Sequence, residues 1–179
     1  GLCPDGTGSD GKQTATVDDC PSTKLGDAWR ALDGAGKAGR AVIHGIVGRG
    51  VAVNAGAIDP DVCDTRRGCL VSGQSSILVN SEDNSGTMAV TIAHENAHLG
   101  QSRATTVTGQ ARNELGAWNS SESVFRNLQG SYRAEAQATY GTTFQWLGTM
   151  DGQVSAFNQF YGRFWRKAEC HLVRNAYCR

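Results

Sequence analysis

The sequence predicts an α+β protein, with a small twisted sheet followed by a helical half. Two patterns carry that reading. Three short β-branched stretches fall between residues 51 and 80, and from residue 86 onward apolar residues recur at helical spacing. A third observation concerns what holds the fold together. The 179 residues include 23 glycines and only 39% hydrophobic residues, a lean core that six cysteines can staple. At this length one domain over residues 1–179 is expected, because a single core serves ~100–200 residues.

Taken in order, residues 1–23 form an irregular N-terminal segment. Positions 5–19 are almost devoid of apolar side chains. The run Asp5–Gly11 has a faint calcium-loop look, but it lacks the glycine and the closing glutamate such a loop needs and reads as a solvated loop. Leu25, Ala28, Trp29 and Leu32, then Ala41, Val42, Ile43 and Val47, predict helical segments over 24–47, interrupted near Gly34–Gly39. His44 sits among those apolar residues and reads as a packed side chain. Strands are expected at Val51–Asn54, Cys69–Ser72 and Ser76–Asn80, each bounded by Gly, Pro, Asn or Asp. Helices are expected over 86–101, 108–118, 121–128, 131–147 and 152–177. In the last of these, Val154, Phe157, Tyr161, Phe164, Trp165, Ala168 and Leu172 make an apolar face. Residues 161–179 carry five basic side chains against Glu169, so this end is +4 and the remainder −4.

Composition narrows the function. Lys+Arg and Asp+Glu number 17 each, and a neutral chain is not expected to bind nucleic acid. No apolar run reaches the ~18–20 residues that span a bilayer. Cys3, Cys20, Cys63, Cys69, Cys170 and Cys178 include no CxxC pair, which removes the usual thiolate zinc site and the thioredoxin-type motif. An even count with short spacings predicts disulfides, most simply Cys3–Cys20, Cys63–Cys69 and Cys170–Cys178. That points to an oxidising compartment, extracellular or periplasmic, and Gly1 in place of an initiator Met reads as a processed secreted chain. Asn119-Ser120-Ser121 is a glycosylation sequon. A monomer is expected.

The chemistry concentrates in Thr91-Ile-Ala-His94-Glu95-Asn96-Ala97-His98-Leu99-Gly100. On a helix, residues four apart share a face, so His94 and His98 can aim two imidazoles at one metal ion. Glu95, beside the first ligand, can take a proton from a metal-activated water. A catalytic zinc usually needs a third protein ligand. Half of the chain's four histidines lie in this stretch.

This stretch resembles the zincin metallopeptidases, whose longer signature is matched by Thr91, Asn96, Ala97 and Leu99. The resemblance implies a zinc-dependent peptidase with Glu95 as general base and Zn2+ as cofactor. It also implies that Ser76–Asn80 is the edge strand that pairs with an extended substrate. The metzincin pattern would put a third His at position 104, which is Ala104, and Gly141-Thr142-Thr143-Phe144 lacks the Asp of the aspzincin pattern. A gluzincin-like arrangement remains, with a Glu on a later helix. Glu135, in Tyr132-Arg-Ala-Glu135-Ala-Gln-Ala138-Thr-Tyr140, resembles the Glu-Ala-x-Ala helix of minimal bacterial metallopeptidase-like domains and is the expected third ligand. Its small neighbours would let that helix approach the metal helix closely. Glu114, in Arg112-Asn-Glu-Leu-Gly-Ala117, together with Glu122 and His171, are the alternatives. Gln101 stands where such families often carry a Gln. Tyr132, Tyr140 and His171 are the candidates for stabilising the transition state. The expected substrates are peptides, proteins or peptidoglycan. A cell-wall amidase or endopeptidase, and a non-catalytic binding or toxin-like domain keeping the same fold, are the rival readings.

Overall fold

Thr23 opens the first helix in the computed structural model, which describes residues 23–59, 63, 67–71, 76–102, 104–149, 151–156 and 158–159. Its hydroxyl accepts the N–H of Gly26, capping α1 (Lys24–Gly34). A sharp reversal follows at Gly36, whose φ of +66° is in the left-handed region that favours glycine. It leads into α2 (Gly36–Gly48). The expected interruption near Gly34–Gly39 is therefore this turn. His44 is exposed on α2 rather than packed, because Val42, Ile43 and Ile46 occupy the buried face.

Three strands follow: β1 (Ala52–Gly56), β2 (Gly68–Leu70) and β3 (Ser76–Asn80). They form a mixed sheet in the order β1-β3-β2, with β1 parallel and β2 antiparallel to β3. This corrects the placing of Ser76–Asn80 at the edge. Its Ile77, Leu78 and Val79 suit a central strand with apolar cover, and Ile77 and Val79 are completely buried. The edge facing the helices is Gly68–Leu70 instead. A Cys63–Cys69 disulfide ties the β1–β2 connection to this edge strand, as expected. Cys3, Cys20, Cys170, Cys178 and His171 lie outside the described residues.

The helical half is α3 (Ser85–Leu99), α4 (Val107–Asn127) and α5 (Gly130–Leu147), with a further helical stretch at 151–156 that buries Ala156. Most of the helix expected at 152–177 lies outside the described residues. Where two helices were expected at 108–118 and 121–128, one runs through. Ser121 satisfies its hydroxyl on the Trp118 carbonyl, and burial of Ala117, Val124 and Phe125 outweighs the low propensity of Asn119-Ser120. Among the described residues no helix is long and apolar enough to cross a membrane.

Helix α3 is the axis of the molecule. Residues 85–93 are buried on every side, so α3 is a core helix rather than an amphipathic surface one. Trp29 and Leu32 of α1, Ile43 and Ile46 of α2, Val53, Ile77 and Val79 of the sheet, and Phe144 of α5 join its Met88, Val90 and Ile92 in one cluster. Its C-terminal turns emerge from that cluster carrying His94, Glu95 and His98 to the surface of the core.

Candidate metal centre

His94 and His98 occupy successive turns of α3, and the next helix supplies a third donor. Their Nε2 atoms are 3.2 Å apart. Glu114 of α4 brings Oε2 to 3.5 Å from His94 Nε2 and Oε1 to 3.5 Å from His98 Nε2. Ligands about 2.0–2.1 Å from a tetrahedral centre lie about 3.3–3.4 Å from one another, close to the 3.2 Å between the two imidazole nitrogens, while the Glu114 carboxylate reaches each of them through a different oxygen. Among the described residues, His94, His98 and Glu114 form the group of donors close enough to share an ion.

Gln101 fixes the protonation that such a site needs. Its amide nitrogen donates to the carbonyl of Asn113 at 2.7 Å, so its oxygen faces His98 Nδ1 at 2.8 Å. That nitrogen must then carry the hydrogen, and Nε2 is the nitrogen turned toward His94 and Glu114. The same side chain ties the end of α3 to the residue before Glu114, and Asn113 Nδ2 completes the link by donating to the Ser102 carbonyl. Two imidazole nitrogens and a carboxylate thus converge at 3.2–3.5 Å, a donor set that a cation could share.

Glu135 is not part of this group, which corrects the expected third ligand. Its Oε2 accepts the N–H of Gly86 at 2.7 Å, satisfying a free amide at the start of α3, two turns and about 12 Å from His94. The close approach of α5 to α3 does occur, but there. A Cβ on Gly86 would lie 2.1 Å from the Tyr132 carbonyl oxygen and 3.0 Å from Glu135 Cβ. Glu122 points elsewhere too, paired with Arg126 at 2.7 Å.

The transition-state candidates are likewise redistributed. Tyr132 begins α5 at the far end of α3, where burial and the Asp27 carboxylate raise its pKa. Tyr140 is buried against the histidine helix, its hydroxyl 2.8 Å from Thr91 Oγ1, and burial pushes its pKa up to about 12. That phenol supports the site from below. A residue the sequence reading did not single out, Trp118, lies one turn after Glu114 with its ring centroid 4.6 Å from that of His94. Its spacing from Glu114 on one helix was the available signal.

Glu95 faces the sheet. It is 7% exposed, and the backbone of Leu70 on the edge strand hydrogen-bonds to it. Burial, then the neighbouring Glu114 carboxylate, push its pKa from 4.5 up to about 8, with the Leu70 contact pulling the other way. The same shift sets a pH dependence for the metal-free protein. The folded state keeps the proton on Glu95 to about pH 8, whereas the unfolded chain releases it near 4.5. Stability therefore falls as pH rises through that window, by at most about 1.4 kcal/mol per pH unit from this group, and levels off above it. Urea unfolding at pH 5, 6.5 and 8 should show the decline, and Glu95→Gln should flatten it. A flat or rising wild-type profile contradicts the shift.

Comparison with protein-family models, curated proteins and solved structures finds no match, so the identity of this centre rests on its own geometry.

Proposed function

We propose that the chain is a zinc-dependent peptidase of zincin type, using His94, His98 and Glu114 as ligands and Glu95 as general base. The observation that carries this reading is the convergence of three donor atoms, all within 4.8 Å of one another, with an ionisable, buried Glu95 beside them and outside the ligand set. Two imidazoles and one carboxylate are the protein ligands of many catalytic zinc sites, with a position left for water or substrate. Bound there, zinc would supply a Lewis acid for a scissile carbonyl and lower the pKa of water toward ~7.

The chain's own residues account for the rest. Gln101 holds His98 in the tautomer that presents Nε2. The edge strand β2 lies along α3 so closely that a Cβ on Gly68 would meet Thr91 Cγ2 at 2.7 Å. A peptide extended beside β2 would pass Leu70, whose backbone meets Glu95. Glu95 Oε then takes a proton from the attacking water and passes it to the leaving amine. The Cys63–Cys69 disulfide beside this strand supports work in an oxidising compartment.

Metal removal tests the reading. Dialysis against a chelator should abolish cleavage of a mixed peptide pool followed by mass spectrometry, and stoichiometric zinc should restore it. Cleavage that survives chelation, or a purified chain whose activity returns with ferrous ion and oxygen but not with zinc, would refute it. The second outcome matters because two histidines and a carboxylate also suit non-haem iron.

A further inference from the structure

Arg67 stands one residue before β2, at the head of the edge strand. Its Nη1 donates to Asp83 Oδ1 at 2.6 Å, and its Cζ lies 5.8 Å from the centroid of the Tyr140 ring. These contacts hold the guanidinium in place, yet the side chain is 44% exposed while that of Asp83 is only 12% exposed. A guanidinium offers five N–H donors in a planar fork. One is spent on Asp83 Oδ1, while Asp83 Oδ2 makes no hydrogen bond. The contact is therefore single-point, and a donor edge faces outward.

Two paths connect this group to the ligand triad. Along the edge strand, Arg67 is three residues from Leu70, whose backbone meets Glu95, a distance of ~10 Å. Through the interior, the rings of His94 and Trp118 are 4.6 Å apart and those of Trp118 and Tyr140 5.7 Å apart, with Arg67 next in line over Tyr140. The Arg67 guanidinium gives the far end of both paths a fixed positive charge, which attracts a carboxylate ~10 Å from Leu70.

We propose that Arg67 determines specificity at this site, anchoring a carboxylate of the peptide substrate about three residues from the scissile bond. The carboxylate belongs to an acidic side chain or to the chain terminus, and both present the planar acceptor that a guanidinium fork recognises. The proposal rests on the peptidase reading for its register, but not for the existence of the anchor.

The test uses the full zinc-loaded chain and a set of short peptides carrying Glu, Gln or Lys at each position in turn, with free and amidated C termini. At one position about three residues from the cleaved bond, Glu should exceed Gln by about 10- to 100-fold in kcat/KM, the worth of one charged hydrogen bond. If the terminus is the recognised group, amidation gives that loss instead. Removing Arg67 alone strands the Asp83 carboxylate, so the deciding variant is Arg67→Gln/Asp83→Asn, in which the ratio should fall below about threefold. Binding of the same peptides to the Glu95→Gln protein is measured in parallel. A wild-type chain without turnover removes the peptidase reading, and the binding ratio then decides Arg67 by itself. The inference is overturned if no carboxylate raises turnover or binding, or if the discrimination survives in the double variant.

Discussion

Glu114→Ala is expected to leave a folded protein without stoichiometric zinc, whereas Glu135→Ala should keep the metal and lose stability. Glu114 spans both histidines with its two carboxylate oxygens, so its truncation leaves two imidazoles on one helix and no anionic donor. Loss of partners that merely orient a ligand already costs about 10–100-fold in metal affinity, so loss of the ligand itself should exceed about 100-fold. Glu135→Ala acts at the other end of α3. It strips the partner from the Gly86 N–H, which should cost about 1–2 kcal/mol and roughly 2–8 °C in Tm. Zinc content by elemental analysis and a thermal melt on both variants form the check. If Glu135→Ala lost the metal while Glu114→Ala retained it, the ligand assignment would reverse.

That contrast also shows where sequence reading stops. His94, Glu95 and His98 were legible because their geometry is local: one helix and one spacing put all three at one end of the core. Which later carboxylate joins the histidines depends on which helix lies against them, and this is a property of packing between distant segments. Both Glu114 and Glu135 have small neighbours, and the inference that small residues permit close helix approach was physically sound. It identified the crossing of α5 over Gly86 rather than the candidate metal centre. The link through Gln101 and Asn113 holds α4 at the histidine end, and neither hydrogen bond is visible before the loop between α3 and α4 is placed. Strand order failed for a related reason. The three strands were found close to their observed positions, but β3, last in sequence, lies in the middle, because its run of apolar residues gains most from cover on both sides. The α+β class survived these errors because it depends on periodicity alone.

Glu95→Gln should separate chemistry from metal binding. The amide is nearly isosteric, and its oxygen can still accept the hydrogen bond from Leu70, so the edge strand keeps its place beside α3. Glu95 contributes no donor to the triad, so zinc should remain bound at wild-type stoichiometry. What disappears is a group able to gain and lose a proton. Turnover should fall by about 10²–10⁴-fold, the usual worth of a positioned general base. Stability near pH 8 should move in the opposite direction. The variant no longer ionises a carboxyl buried beside Glu114, so the metal-free Gln protein should unfold at higher urea concentration than wild type. Opposed changes of this kind, activity lost while stability rises, are expected where a strained charge is kept for its chemistry. Peptide cleavage, zinc content and urea midpoints measured on one preparation decide the matter. A Gln variant that cleaves peptides at a third or more of the wild-type rate would remove Glu95 from the mechanism, and one that loses zinc would make it a ligand instead.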